Sequence, residues 1–246
     1  MKGVILAGGL GTRLYPLTHA TNKHLLPIFD KPMIFYPIFT LIQAGIKEIL
    51  VVVSGPYAGH FIRVLKNGKE LGIEHLEFAY QEKPDGGIAD ALILAEDFAD
   101  NDDICVILGD NTTDAKIKDS LAGFHDGALL FFKKIEDSKN LTRFGVAVFD
   151  KDNKLIAIEE KPKVPKSQFA ATGLYVYDNQ VFDYIRKCQP SWRQEIEITD
   201  VNNHYISKGK ANWTTLSGFW SDSGTFETLY LANSYWAKKQ NDRQKS

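Results

Sequence analysis

The chain has 246 residues, of which 44% are hydrophobic and 24% charged, and its formal net charge is −2. These values are ordinary for one globular domain, and the weak charge argues against a broad nucleic-acid surface. No apolar run approaches the roughly 18 residues of a membrane span. Two well-separated cysteines and a first strand that begins at once, with no signal peptide, favour the cytoplasm. We therefore expect neither nucleic acid nor membrane as a partner.

The first half of the chain alternates predicted strands with predicted helices. Apolar runs predict strands over 2–7, 46–53, 76–80 and 104–108, and helical periodicity predicts helices over 33–44, 58–66 and 88–98. Strand–helix alternation implies right-handed crossovers and a largely parallel sheet.

The second half has a different pattern, with few helices between its strands. Strands are predicted over 129–132, 145–150, 154–160 and 174–177, and helices over 179–187, 197–208 and 225–239. Residues 239–246 are polar and predicted to fray. The fold class is therefore α/β, with a mixed, mainly parallel central sheet flanked by helices and an antiparallel extension. We expect one domain over 1–246, divided into halves at 1–125 and 126–246.

A glycine turn follows the first strand directly and contains Gly8, Gly9, Gly11, Thr12 and Arg13. Glycines permit backbone conformations in which several N–H groups point towards one anion. Arginine adds a planar, always charged fork to the same anion. Open α/β sheets keep their ligands at the carboxyl ends of the strands, where this turn lies. The turn is predicted to bind phosphate.

Two commoner glycine loops do not fit this turn. The dinucleotide fingerprint needs a third glycine where the chain has Leu14, and Asp30 lies in a turn rather than at the end of a second strand. The Walker A loop needs Lys-Ser or Lys-Thr after its glycines, and neither is present.

Two acidic residues come at positions suited to a metal ion. Asp110 follows the strand 104–108 and Gly109, and Asp222 comes just before the last helix. Either could by itself be a turn or capping residue. Together they would suit Mg²⁺, which accepts one or two carboxylates completed by substrate phosphate oxygens and water.

Three further residues have charges or positions suited to anionic substrates. Lys23 precedes an apolar Leu25–Leu26–Pro27 run, and Glu160 and Lys161 close a second-half strand. A glutamate can accept from sugar hydroxyls while a neighbouring lysine holds a phosphate. A solvated lysine and a plain hairpin end remain the alternatives.

The end of the strand 76–80 offers a place for a nucleobase. Gln81 carries both a donor and an acceptor, as the edge of a pyrimidine requires. Gly86 or Gly87, a few residues further on, would let a base lie flat against the backbone.

These elements together carry a resemblance. The motifs are G-G-L-G-T-R-L-x-P-L-T, K-x-L-L-P, I-L-G-D-N, R-F-G-V, E-E-K-P, T-G-L-Y and W-x-D-x-G-T, in that order over about residues 1–230. The chain resembles the sugar-phosphate nucleotidyltransferases, whose Rossmann-like fold it is expected to share. The first motif marks the wider family, and the combination is far more specific.

The resemblance implies a role for each matching position. It implies nucleotide binding by Leu6, Gly8, Gly9, Gly11, Thr12, Gln81, Gly86 and Gly87, and catalysis by Arg13, Lys23 and Lys161. It implies sugar-phosphate binding by Asn111, Gly145, Glu160, Ala171 and Tyr175, and Mg²⁺ binding by Asp110 and Asp222. The family spacing Q-x-x-P-x-G-L-A has one extra glycine here, so which of Gly86 and Gly87 meets the base stays open.

The resemblance also implies the reaction. A thymidylyl group passes from dTTP to glucose 1-phosphate, giving dTDP-glucose for deoxysugar and cell-surface polysaccharide synthesis, and pyrophosphate. It implies 1–125 as the nucleotide-binding half, 126–246 as the sugar-phosphate half, and a homotetramer or homodimer. Longer relatives have further C-terminal helices that help build a regulatory site. This chain resembles a short form, and the sequence leaves open whether the product inhibits the enzyme.

Three alternatives remain. A nucleotide-sugar-using glycosyltransferase would present a D-x-D pair, but Asp110-Asn111-Thr112 offers only the first acid. The same chemistry with UTP is open, because uracil lacks only the methyl group of thymine, worth about 1–3 kcal/mol in a pocket. An inactive nucleotide-sugar sensor is disfavoured, because Arg13, Lys23, Asp110 and Asp222 are all present.

Overall fold

A computed structural model describes residues 1–191 and 194–245. The strands in chain order are β1 (Lys2–Ala7), β2 (Pro27–Ile28), β3 (Lys31–Pro32), β4 (Glu48–Ser54), β5 (His75–Gln81), β6 (Ile104–Leu108), β7 (Thr112–Thr113), β8 (Ala128–Lys134), β9 (Gly145–Phe149), β10 (Leu155–Glu160), β11 (Phe169–Tyr177), β12 (Ala211–Thr215) and β13 (Trp220–Ser221). The α-helices are α1 (Phe35–Gln43), α2 (Ala58–Leu65), α3 (Ile88–Leu92), α4 (Glu96–Ala99), α5 (Lys118–Ala122), α6 (Ser138–Leu141), α7 (Val181–Lys187), α8 (Ile198–Ser207) and α9 (Phe226–Lys245).

One nine-stranded sheet runs through the molecule. Strands β6, β1, β4 and β5 are parallel neighbours, as their crossover helices require. Strand β11 joins the other edge of β6 antiparallel, and β8, β9 and β10 continue the sheet as antiparallel strands. The predicted fold class, a mainly parallel sheet with an antiparallel extension, is confirmed.

Both faces of the sheet are buried, because successive side chains of a strand point to opposite faces. Val4 and Leu6 of β1 belong to one apolar cluster, whereas Ile5 and Ala7 belong to the cluster on the other face. Helices cover each cluster, so the parallel strands reach the site through their carboxyl ends and the loops that follow them.

Several predicted elements differ from the observed ones. The predicted helix 88–98 is divided into α3, a 3₁₀ turn over Ile93–Ala95 and α4, because an apolar pattern does not distinguish the two kinds of turn. The prediction that the chain frays from residue 239 was wrong, since α9 continues to Lys245; Ser246 lies outside the described residues. Strand β12, parallel to β8, was missed.

Strand β11 changes neighbour along its length. Its register against β8 shifts between Ala171 and Tyr175. On its other side, Ala170 pairs with β9 whereas Leu174 onwards pairs with β6. Gly173, at φ +74°, makes this possible, because a Cβ there would lie 2.6 Å from Leu108 Cδ1. The sheet therefore opens between β6 and β9.

A ribbon of two short strands connects distant parts of the chain. In the antiparallel pair of β7 and β13, Ser221 lies opposite Thr112. Asp110 comes two residues before Thr112, and Asp222 comes directly after Ser221, so the ribbon brings the two predicted metal ligands to the same end.

Asp114 fastens this ribbon to α9. Its Oδ1 accepts from Phe219 N at 2.7 Å, and its Oδ2 accepts from Tyr235 Oη and Lys239 Nζ. Gly218, at φ +66°, leaves room for the carboxylate. Burial raises the pKa of Asp114, but the hydrogen bonds from Lys239, Tyr235 and Phe219 outweigh burial and lower it below its usual value.

No helix in the described part of the chain is both long enough and apolar enough to cross a lipid bilayer.

The hydrogen bonds that Asp114 accepts predict a pH-dependent contribution to the free energy of unfolding. We expect Asp114→Asn to lower the free energy of unfolding by about 1–2 kcal/mol at pH 7, because charge-assisted hydrogen bonds are lost. A carboxyl whose folded pKa is depressed stabilises above its unfolded pKa near 3.9 and loses that contribution as the pH falls through its folded pKa. The difference in urea midpoint between variant and wild type should therefore shrink below a pH of about 4.

The exposed Asp119→Asn variant is the control, and its urea midpoint should equal that of wild type at each pH. A difference that is constant with pH would contradict this role.

Candidate active site

Two adjoining cavities lie where the parallel strands end. The small cavity, of about 260 Å³, lies beside the glycine turn after β1. The large cavity, of about 480 Å³, lies over the opening between β6 and β9. Both cavities are lined by Arg13, Ile88, Leu108, Asp110 and Glu195. The two cavities thus form one cleft, with one cation and two acidic side chains at the junction.

The glycine turn is held against the end of β4. Gly9 N donates to Ser54 Oγ at 2.9 Å. Gly8 has no room for a side chain, because a Cβ there would lie 2.7 Å from Gln81 Oε1. Gly11, at φ +65°, packs instead against the side chains of Thr18 and Lys23. The turn therefore presents bare backbone to the small cavity.

Lys23 and Asp110 form an ion pair at the junction, with Nζ and Oδ2 2.6 Å apart. The next residue, His24, is buried against Gly109 and fixes this segment beneath Asp110. Burial and the Lys23 charge lower the pKa of His24 to about 3, so its ring is neutral. Burial raises the pKa of Asp110, but the neighbouring positive charge, mainly that of Lys23, has the larger effect and lowers this pKa below its usual value. Asp110 is therefore a carboxylate at neutral pH.

A chain of hydrogen bonds orients Asp110 from the other side. Trp220 Nε1 donates to Asn111 Oδ1 at 2.6 Å and to the Thr172 carbonyl at 3.2 Å. The amide of Asn111 must then turn its nitrogen the other way, and Nδ2 donates to Asp110 Oδ1 at 3.2 Å. Trp220, in the β7–β13 ribbon, thereby orients the Asp110 carboxylate through Asn111.

Asp222 lies in the electrostatic field of Asp110. Burial first, and the negative charge of Asp110 second, raise the pKa of Asp222. Arg143 opposes this by donating to Asp222 Oδ2 at 2.8 Å. Arg13 also opposes it, and its guanidinium lies against Gly224, where a Cβ would be 3.1 Å from Nη2. The two acids thus converge beside the Arg13 turn.

This pair of acids fits a divalent metal ion. Two partly buried carboxylates, of which Asp110 raises the pKa of Asp222, gain from a cation between them, and carboxylate oxygens are the ligands Mg²⁺ prefers. Within 1–191 and 194–245 no cluster of three or more His, Cys, Asp or Glu side chains suited to a metal occurs. A metal here would take its remaining ligands from substrate and water.

The far end of the large cavity carries both hydroxyl-binding and anion-binding groups. Glu160 Oε2 accepts from Thr199 Oγ1 at 2.6 Å, and Glu160 Oε1 lies 3.6 Å from Lys161 Nζ. Lys161 has a φ of +44° and donates its backbone N–H to the Phe144 carbonyl, which holds the strand end beside β9. Gly145 leaves the space that Glu160 and Thr199 occupy.

The structure brings most of the predicted site residues to this cleft. The small cavity is lined by the predicted residues Leu6, Gly8, Gly9, Arg13, Lys23, Gln81, Gly87 and Asp110. The large cavity is lined by the predicted residues Arg13, Asp110, Asn111, Gly145, Glu160, Lys161, Ala171, Tyr175 and Asp222. Gly11, Thr12 and Gly86 line neither cavity. Of the two glycines left open by the sequence, Gly87 is the one that faces the cleft.

Sequence reasoning missed two residues that contact the predicted acids. Arg143 pairs with Asp222, and Thr199 donates to Glu160. Arg143 belongs to the R-F-G-V motif, but the motif alone does not indicate a role for its arginine. Thr199 lies in the first turn of α8 and carries no pattern of its own, because only the fold brings that helix to Glu160.

Known proteins share these features. The profile of the nucleotidyl transferase family matches residues 2–239. A glucose-1-phosphate thymidylyltransferase of Neisseria meningitidis is 44% identical over 248 residues, covering 98% of this chain and 84% of that protein. A protein of the same name from Mycolicibacterium smegmatis is 42% identical, covering 96% of this chain and 82% of its own length.

Solved structures agree with the sequence relatives. A Bacillus anthracis structure, described as a proposed glucose-1-phosphate thymidylyltransferase in complex with sucrose, superposes with a TM-score of 0.88. It is 44% identical, with 96% of this chain and 94% of that chain covered. A UDP-glucose pyrophosphorylase complexed with UDP-glucose, at 22% identity and a TM-score of 0.82, shares the fold over 97% of this chain and 98% of its own. The predicted resemblance is confirmed: this chain belongs to the nucleotidyl transferase family.

Proposed function

We propose that the protein transfers a thymidylyl group from dTTP to α-D-glucose 1-phosphate, releasing pyrophosphate. The relatives named glucose-1-phosphate thymidylyltransferase, at 42–44% identity, support this assignment. The observation that carries it is the junction of the two cavities, where Arg13 and Asp110 belong to both. A nucleotide in the small cavity and a sugar phosphate in the large one would place their phosphates side by side.

The reaction we infer is one in-line displacement at phosphorus. An oxygen of the sugar phosphate forms a bond to the α-phosphorus, and the bond to the pyrophosphate oxygen breaks on the opposite side. The attacking oxygen is already anionic, so no general base is needed. The barrier comes from repulsion between two polyanions and from charge that develops on the leaving group.

The cations of the cleft are placed to lower this barrier. Arg13 lines both cavities and Lys23 lines the small one, where they would hold the triphosphate. Lys161 and Arg143 line the large cavity, where they would hold the phosphate of the sugar. Charges fixed before the substrates arrive stabilise the transition state without reorganisation.

Asp110 and Asp222 would hold one Mg²⁺. When bound, the ion would neutralise phosphate charge and stabilise the developing pyrophosphate. The two carboxylates would keep it at the junction, while Asn111 orients the first acid and Arg143 screens the second.

We also propose a cellular location, an oligomeric state and a domain organisation for the enzyme. Cys105 and Cys188 are both free thiols, which suits the reducing cytoplasm. The apolar side chains of Phe226, Tyr230 and Leu231 are exposed on α9, and a homodimer or homotetramer could cover them. We keep 1–246 as one domain, with 1–125 as the nucleotide-binding half and 126–246 as the sugar-phosphate half.

Arg13→Ala tests the phosphate-binding role of the glycine turn. We expect kcat for pyrophosphate release from dTTP and glucose 1-phosphate to fall by about 10²–10³-fold, because one preorganised charge is lost. The melting temperature should stay unchanged, since Arg13 is exposed. Exposed Arg63→Ala on α2 is the matched control, and it should keep the wild-type rate. Turnover by Arg13→Ala at the wild-type rate would remove Arg13 from the mechanism.

Asp222→Asn tests the metal role. We expect the Mg²⁺ concentration for half-maximal rate to rise at least about tenfold, because a carboxylate ligand is replaced by a neutral amide. The measurement is a Mg²⁺ titration of pyrophosphate release at saturating substrates. Asp126→Asn, an exposed acid of the second half, should leave the titration unchanged. An unaltered curve for Asp222→Asn would refute the pairing of Asp222 with Asp110.

A further inference from the structure

Gln81, at the end of β5, has one end of its amide already engaged. Its Nε2 donates to Asp90 Oδ2 at 2.8 Å and to the Gly87 carbonyl at 3.3 Å. Its Oε1 lies on the other side, over Gly8, which lines the small cavity. The side chain is almost fully buried, with 3% exposed, so its amide is held in place by these contacts.

Asp90 determines which end of the amide faces the cavity. A carboxylate accepts hydrogen bonds and donates none, whereas a glutamine amide can turn either its oxygen or its nitrogen to a partner. Turning Gln81 over would put Oε1 against the Asp90 oxygen and lose a hydrogen bond. The amide therefore presents an acceptor, and not a donor, to whatever lies beside Gly8.

Gly86 gives Asp90 the space to do this. A Cβ at Gly86 would lie 2.3 Å from Asp90 Oδ2, so any larger residue would displace the carboxylate. The extra glycine of this segment is thus accounted for: Gly87 faces the cleft, and Gly86 packs under the residue that orients Gln81.

We propose that Asp90 is a specificity-determining positioning residue, which locks Gln81 as a hydrogen-bond acceptor so that the pocket selects a pyrimidine with an N3–H. This rests on the proposed function, in which the small cavity receives the base. Thymine and uracil carry a proton on N3. Cytosine has a lone pair there, which would face Gln81 Oε1 with no hydrogen between the two atoms. A buried acceptor left unpaired is costly, so cytosine is rejected more strongly than a missing methyl group would be.

The test compares three nucleotides that share one sugar and one triphosphate. Calorimetric titration with Mg²⁺ and without sugar phosphate gives Kd values for dTTP, dUTP and dCTP. Comparing dTTP with dUTP isolates the methyl group, and comparing dUTP with dCTP changes the base only at N3 and C4. For the wild-type protein we expect dTTP and dUTP to bind much more tightly than dCTP.

Asp90→Asn is the informative variant, because it keeps the shape and allows both amides to turn over together. The amide nitrogen that this variant introduces can then donate to Gln81 Oε1, while Gln81 Nε2 faces the base and can donate to N3 of cytosine. We expect the Kd ratio of dCTP to dTTP to fall by about tenfold or more, with the ratio of dUTP to dTTP unchanged. Part of the preference should remain, since the Gly87 carbonyl still favours the original orientation.

Asp97→Asn, an exposed acid on the neighbouring α4, is the matched control and should leave all three Kd values as in wild type. General damage to the pocket by Asp90→Asn would weaken the three nucleotides together, and that result would overturn the proposal. An unchanged dCTP ratio in Asp90→Asn, or equal binding of dTTP and dCTP by the wild-type protein, would also overturn it. In those cases pyrophosphate release from dTTP would still support the proposed function. Failure of the wild-type protein to bind any of the three would contradict both proposals.

Discussion

The pairing of β7 with β13 is the contact on which the cleft depends. These strands have two residues each, yet their register places Asp222 at the same end of the ribbon as Asp110. Trp220 in the ribbon also orients Asn111 and, through it, Asp110. Asp114 then joins the ribbon to α9, so a long helix at the end of the chain stabilises a geometry set by the loop after β6.

The charges of the cleft alternate in sign. Lys23 lies against Asp110, and Arg143 against Asp222, while Arg13 lies within the field of the second acid. Without partners, each of these partly buried charges would carry a desolvation cost. Pairing lowers that cost and lets the protein keep strong cations and carboxylates together, as the proposed binding of phosphates and a metal would require.

The sequence predicted the parallel half of the fold well, because β1, β4 and β6 are mostly continuous apolar runs followed by clear turns, and β5 keeps a short Leu-x-Phe-Ala-Tyr pattern. It could not predict β12, whose Ala-Asn-Trp-Thr-Thr sequence lacks a strong strand pattern, nor the short ribbon strands, which are stabilised by tertiary pairing alone. It overlooked the length of α9 because its last turns are polar, although lysine, arginine and glutamine favour helix. Residues on strand ends, such as Asp110 and Gln81, could be placed from sequence. Arg143, Thr199 and Asp90 could not, since each reaches its partner only through the folded arrangement.

The shift of β11 at Gly173 has a consequence for how the enzyme could change over evolutionary time. The large cavity is a gap between two strands of the central sheet, held open by backbone register. A pocket built from a surface loop can be enlarged by insertion, but a gap in a sheet cannot grow without re-pairing three strands. At the proposed sugar site, new acceptor sugars would therefore have to be accommodated by exchanging single side chains on an unchanged backbone, and diversification within this lineage should proceed by point substitution rather than by insertion of residues.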